Sequence, residues 1–145
     1  MEKIKILVVD DEKEIADLLE IYLISDGFQV LKAYSAKEGL RILEEKKIDL
    51  VLLDVMMPDM DGRAFAKIVK EDKVLSHIPL VLLSALNYID EQVKGIESGA
   101  EAYVTKPFNV EYLEKIVERQ IRRKEDMKEY YSSIYSAFKL EDGHL

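Results

Sequence analysis

The sequence has no cysteine, only two histidines, three prolines and six glycines in 145 residues. Without cysteine there is no disulfide, no thiolate zinc site and no cysteine nucleophile, and a cytoplasmic chain is the expectation. His77 and His144 are too few for a histidine-based metal site. Long apolar runs are missing too. Wholly apolar stretches such as Ile6–Val9 and Leu80–Leu83 are short, whereas a membrane-spanning helix needs about 20 such residues. The N-terminus turns apolar at Ile4 and then meets two aspartates, unlike a signal peptide. There is no surplus of positive charge. The net charge is −8, which argues against broad nucleic-acid binding, where a basic surface releases counterions.

What is present is a 48% hydrophobic, 34% charged mixture, enough to build one core of ordinary domain size. The acid is unevenly placed. Residues 1–118 carry 15 basic and 24 acidic side chains, and residues 119–145 carry 6 and 5.

The first 110 residues alternate short apolar runs with amphipathic segments. Ile4–Val9, Asp49–Leu53 and Pro79–Ser84 read as strands buried on both faces, with weaker strands at Gln29–Ala33 and Ala102–Val104. Glu12–Ser25 reads as a helix, because Ile15, Leu18, Leu19, Tyr22 and Leu23 recur at helical spacing. Ser35, with Glu38 three residues on, opens a second helix running to about Lys46. Further helices are expected from Arg63 to about Glu71, from Asp90 to near Gly99, and from Asn109 onward. Five strands alternating with five helices predict an α/β fold with a parallel sheet covered on both faces. In such sheets ligands bind beyond the carboxyl ends of the strands.

Those ends carry chemistry. Asp10-Asp11 close the first strand, Asp54 the third and Ser84 the fourth, and Lys106 follows the fifth. Each alone has an ordinary explanation: turn residue, N-cap or solvated lysine. Together they place three carboxylates, a hydroxyl and an ammonium on one edge. Close carboxylates repel unless a proton or a cation joins them. Hard oxygen donors without histidine or cysteine suit magnesium, with manganese as the related choice. The cluster therefore reads as a phosphoryl site, with a carboxylate nucleophile, a neutralising metal and lysine, and a serine hydroxyl for a phosphoryl oxygen.

These residues resemble the receiver domain of two-component response regulators, over residues 3 to about 122. The likeness rests on Asp10-Asp11, the run from Asp54 through Met56-Met57-Pro58 to Gly62, Ser84-Ala85, and Tyr103 with Lys106-Pro107-Phe108. It implies a flavodoxin-like, doubly wound sheet in strand order 2-1-3-4-5. It also implies that Asp54 accepts a phosphoryl group from a phosphohistidine on a histidine kinase or phosphotransfer domain. Asp11 and Asp54 would ligate magnesium directly, Asp10 mostly through water, and Met56 by its backbone carbonyl. Lys106 would contact the phosphoryl group and Ser84 would move to meet it. Tyr103 would be the aromatic switch, and a cis peptide would join Lys106 to Pro107. Such a protein is not an enzyme beyond its own phosphotransfer and dephosphorylation. The positions two residues beyond Asp54 and Ser84 are Met56 and Leu86. Neither side chain can hold a hydrolytic water by hydrogen bonding, so slow self-dephosphorylation is expected.

Residues 1–123 are thus expected to form the receiver and 124–145 a helical extension. Met127, Tyr130, Tyr131, Ile134, Tyr135 and Phe138 form a helical stripe after the basic patch Arg119–Lys124. It reads as a connector to a partner or dimer mate rather than as more core. Dimers through the fourth helix, fifth strand and fifth helix, or through the C-terminal helix, are the candidates. The extension also resembles the segment after the receiver in hybrid sensor kinases, so an excised module of such a chain, with its output domain elsewhere, is an alternative. A magnesium-dependent phosphohydrolase and a non-phosphorylated pseudo-receiver are the others. The adjacent Asp10-Asp11, the short chain and the intact Asp11, Asp54, Ser84 and Lys106 set weigh against both.

Overall fold

Five stretches rich in valine, leucine and isoleucine extend into β1 (Lys5–Val9), β2 (Gln29–Ala33), β3 (Leu50–Asp54), β4 (Leu80–Ser84) and β5 (Ala102–Thr105). They alternate with α1 (Lys13–Ser25), α2 (Ala36–Glu45), α3 (Gly62–Glu71), α4 (Ile89–Glu97) and α5 (Val110–Asp142). The structure is a computed structural model. It describes residues 3–86 and 89–142, with the backbone alone for 139–142. All strand pairs are parallel, in the order β2-β1-β3-β4-β5, a doubly wound flavodoxin-like sheet.

Alternation along each strand sends successive side chains to opposite faces. Leu7, Val9, Val51, Leu53, Leu80 and Leu82 pack in one core with Leu43 of α2 and Phe65 of α3. Ile6, Val8, Leu50, Leu52, Val81 and Leu83 pack in the other with Leu19 and Leu23 of α1 and Leu113 and Val117 of α5. β3 and β4 are buried along their whole length, while β2, at the edge, is partly exposed. Each fully buried leucine or valine contributes roughly 1.5–3 kcal/mol. Two continuous layers of them fix the strand ends that carry the polar residues.

Local signals set the helix starts. Ser35 Oγ accepts from the Glu38 amide at 3.1 Å, capping α2 as its sequence predicts. Asp61 caps α3 by accepting from the Arg63 amide at 2.7 Å. β3 runs one residue further than its apolar run suggests. The ladder continues past Leu53, with Asp54 in register with Leu83 and the Val55 amide donating to the Leu83 carbonyl at 2.9 Å.

α5 is 33 residues long, about 50 Å, as the absence of glycine and proline predicts. Leu113, Ile116, Val117, Gln120 and Ile121 are buried against the sheet, whereas Met127, Tyr130, Tyr131, Ile134, Tyr135 and Phe138 are exposed. Among the described residues, no helix is long and apolar enough to cross a membrane.

Candidate phosphoryl site

The carboxyl ends of β1, β3, β4 and β5 converge, and their polar residues converge with them. Asp10 follows β1 and is fully buried. One carboxylate oxygen accepts from the Glu12 amide at 2.9 Å and the other from Lys106 Nζ at 3.0 Å. Both of its oxygens are thus committed. Asp54, 4% exposed, ends β3, and its Oδ1 lies 3.4 Å from Lys106 Nζ. Ser84, at the end of β4, is also buried. Its carbonyl accepts from the Lys106 amide at 2.7 Å, so β4 positions the start of the loop that carries the lysine. The Lys106–Pro107 peptide is cis.

The charges respond to this packing. Burial pushes the Asp54 carboxyl up to about 7, and the nearby Asp10 charge pushes the same way, against the pull of Lys106. Burial also works against the Lys106 ammonium. The hydrogen bond to Asp10 and the charges of Asp10 and Asp54 outweigh it and hold the lysine above its ordinary range. A buried carboxyl that is costly to ionise, beside a fixed cation, is a place where added charge is met by a ready counter-charge.

The loop after β3 approaches closely because position 62 is glycine. A Cβ there would sit 2.5 Å from the Asp54 carbonyl oxygen, and the Gly62 amide donates to the Val55 carbonyl at 2.7 Å. The loop doubles back so that Met56 bridges Asp61. This leaves Met56 at the mouth of the site, 60% exposed, with its amide 3.4 Å from Asp54 Oδ1. Arg63 ties the loop to α4 through Asp61 at 2.7 Å and Glu91 at 2.6 Å.

Asp10, Glu12 and Asp54 present carboxylate oxygens within 4.8 Å of one another. Hard oxygen donors gathered around a carboxyl that resists ionisation fit a divalent cation such as magnesium. Asp11 is half-buried and stands outside this group, although the sequence reading places it among the ligands. Glu12 is the carboxylate that reading passes over. It is the N-cap of α1, and the bond from its amide to Asp10 turns it toward the site, where its carboxylate lies 3.7 Å from Lys106. An acidic residue two positions past a strand-ending aspartate was the available signal.

Tyr103, on β5, is half-buried and packs over Gly95 of α4. Its hydroxyl donates to the Leu86 carbonyl at 2.6 Å, and the Leu86 amide donates to Ser84 Oγ at 3.0 Å. Tyr103, Ser84 and the loop between β4 and α4 are therefore linked by direct bonds.

The model of the response regulator receiver domain matches residues 6–118. The regulatory protein VanR of Enterococcus faecium is 38% identical over 119 residues, 82% of this chain and 50% of that protein. VanRc of Enterococcus gallinarum is 40% identical over the same shares. The chain thus spans about half the length of these curated relatives. Among solved structures, a CheY-like response regulator receiver domain protein from Methanospirillum hungatei superposes with a TM-score of 0.81 at 26% identity, covering 87% of this chain and 99% of that one. The receiver domain of a signal transduction histidine kinase from Syntrophus aciditrophicus gives 0.77 at 33% identity, covering 81% and 89%.

Proposed function

The chain belongs to the response regulator receiver family, and from that premise we propose that it is a cytoplasmic, phosphorylation-dependent switch. Asp54 takes a phosphoryl group from a phosphohistidine on a histidine kinase or phosphotransfer domain. The observation that carries this reading is the buried Asp54 carboxyl beside Lys106, with Asp10 on the lysine's other side. An Asp54 oxygen attacks phosphorus, the P–N bond to the imidazole breaks, and the leaving nitrogen keeps the electron pair and takes a proton. Lys106 stays paired with Asp10 and faces the charge that arrives on the phosphoryl oxygens. Ser84 supplies a hydroxyl to one of those oxygens.

Magnesium or manganese, when bound, would neutralise charge on the phosphoryl group. Asp54, Asp11 and the Met56 carbonyl would hold it, with Asp10 and Glu12 beside it. Residues 1–123 act as the receiver and 124–145 as a helical connector. The output belongs to whatever the connector meets. The switch passes through Ser84, Leu86 and Tyr103 to the surface of α4, β5 and α5.

Incubation with acetyl phosphate and magnesium, followed by intact mass, tests the proposal. One phosphoryl adduct is expected, lost in Asp54→Ala and on chelation of the metal. Release of inorganic phosphate from simple phosphomonoesters without an adduct would instead indicate a hydrolase. No reaction and no magnesium binding would leave an unphosphorylated interaction module.

A further inference from the structure

The face of α5 that covers the sheet does not end where the sheet ends. Leu113, Ile116, Val117 and Gln120 lie buried on it. At 100° per residue the same face continues through Lys124, Met127, Tyr131, Ile134 and Phe138. Beyond the domain this face is apolar and exposed: Met127 is 45%, Ile134 48% and Phe138 59% accessible. Tyr130 and Tyr135 flank it, and the Tyr130 ring meets the Tyr131 ring edge to face, with centroids 5.8 Å apart.

The order of residues along this segment has a two-fold property. Reflected about the point between Ser132 and Ser133, Met127 exchanges with Phe138, Tyr130 with Tyr135, and Tyr131 with Ile134. Each residue of the exposed stripe maps onto another member of it, while Ala137 and Leu140, outside the stripe, map onto Lys128 and Glu125. The same reflection exchanges Arg123 with Asp142, Lys124 with Glu141, and Asp126 with Lys139. Two basic positions map onto two acidic ones, and one acidic position maps onto a basic one. A helix that meets a parallel copy in register would place each of these charges against itself. A helix that meets an antiparallel copy about this centre would set its basic Arg123-Lys124 end beside the acidic Glu141-Asp142 end of the mate, with positions 123 and 141 on one flank of the apolar stripe and position 142 on the other beside Lys124, which also meets Asp49 at 3.6 Å. Serines 132 and 133 fall on the far side of the helix, so they do not interrupt the seam.

The domain leaves room for such a mate. A cavity of about 530 Å³ opens beside α5 where the helix departs from the lower edge of the sheet, with Pro79, Gln120, Arg123, Met127 and Tyr131 among its walls. In the antiparallel register, the far end of a second helix arrives at this cavity. We propose that the C-terminal half of α5 is a homodimerisation element that pairs antiparallel with a second copy of this chain, centred between Ser132 and Ser133. The two receivers then sit at opposite ends of the paired helices. Their phosphoryl sites, at the far edge of each sheet, stay open to a kinase.

The absence of cysteine from the sequence makes the register directly testable. Met127→Cys and Phe138→Cys chains, mixed and oxidised, are expected to give mainly the mixed disulfide. In a parallel pair each would instead couple to itself, because the two positions are about 16 Å apart along one helix. Sedimentation across a concentration series should show a monomer–dimer equilibrium. Arg123→Glu should weaken the dimer roughly fivefold, from two repelling contacts per dimer, and Arg123→Glu with Glu141→Arg should restore it. Ile134→Lys, at an exposed position that leaves the receiver core intact, should give a folded monomer. A native chain that stays monomeric up to its solubility limit, or dominant self-coupled disulfides at both positions, would overturn the proposal.

Discussion

Tyr103 donates its hydroxyl hydrogen to the Leu86 carbonyl at 2.6 Å. The Leu86 amide in turn donates to Ser84 Oγ at 3.0 Å, so one loop residue is held by both proposed switch residues. Movement of Ser84 toward a phosphoryl oxygen on Asp54 cannot leave Leu86 where it is, and Leu86 carries the tyrosine's partner. The coupling between site and surface is two hydrogen bonds long.

Removing the tyrosine hydroxyl should therefore loosen the loop without touching the phosphoryl chemistry. Tyr103→Phe is expected to cost about 1 kcal/mol of stability, the ordinary worth of one such bond. Its phosphorylation rate with acetyl phosphate should stay within about twofold of the native chain, since the ring does not enter the site. Amide chemical shifts around Leu86 should respond less to phosphorylation than in the native protein. An unchanged response at Leu86 would show that the loop moves without the tyrosine.

Gly95 gives the same ring its seat. A Cβ at this position would lie 2.5 Å from Tyr103 Cδ2 and 3.2 Å from Leu82 Cδ1, so the ring must leave. Gly95→Ala is expected to destabilise the fold by about 1–3 kcal/mol as an overpacked contact. Adding Tyr103→Ala should remove most of the clash, so the double variant should be more stable than the two single losses predict. Denaturant melts of the four proteins measure it, and strict additivity would separate glycine from ring.

Much of this was legible in the sequence because the apolar pattern fixes it. Leu50–Leu53 and Leu80–Leu83 are buried on both faces, and an all-apolar run of strand length permits little else. The polar strand ends follow from the same registers, which bring Asp10, Asp54, Ser84 and Lys106 together. What the pattern could not reach depends on side-chain direction. Glu12 and Asp11 are neighbours of one type. That Glu12 joins Asp10 and Asp54 in one group depends on the direction of its side chain at the entry to α1, where its amide is held by the Asp10 carboxylate. Nor does spacing say that Tyr103 is bonded to Leu86, because that contact joins β5 to a loop 17 residues earlier in the sequence.

The Asp54 carboxyl, held up at about 7 by burial and by Asp10, makes stability depend on pH. Between its ordinary value of 3.8 and about 7, the folded chain holds a proton at this site that the unfolded chain has released. Stability should therefore fall as pH rises through this window. Asp54→Asn has no charge to bury. Without added magnesium it should be more stable than the native chain at about pH 8, by on the order of 3 kcal/mol, and nearly equal to it at about pH 4. Thermal melts of both proteins across this range measure it. A constant gap would mean that Asp54 ionises freely.

Lys106 competes with any cation for the same carboxylates, at 3.0 Å from Asp10 and 3.4 Å from Asp54. Replacing it by methionine removes that competitor and the counter-charge for the phosphoryl oxygens together. Lys106→Met should bind magnesium roughly tenfold more tightly in calorimetric titration, as expected for removal of a unit charge a few ångströms away. It should also accept phosphoryl groups roughly a hundredfold more slowly. Opposite signs for binding and transfer are the point of the experiment. If both fall together, the lysine is holding the site in shape rather than supplying charge to it.

The phosphorylated state should be long-lived. Hydrolysis needs a water aimed at phosphorus in line with the Asp54 oxygen. The residues two positions beyond Asp54 and Ser84 are Met56, exposed at the mouth of the site, and Leu86, on the switch loop and packed against the core. A thioether and an isobutyl group offer at best one weak acceptor between them and no donor. The water is left unordered, and orientation is the larger part of what a base or an amide would add. After removal of the phosphodonor, the adduct is expected to persist for hours by intact mass. Met56→Asn should shorten it by roughly tenfold, because the amide can bond the attacking water at an exposed position where folding is not at risk. A native half-life of seconds, or no change in Met56→Asn, would place the control of lifetime elsewhere in the site.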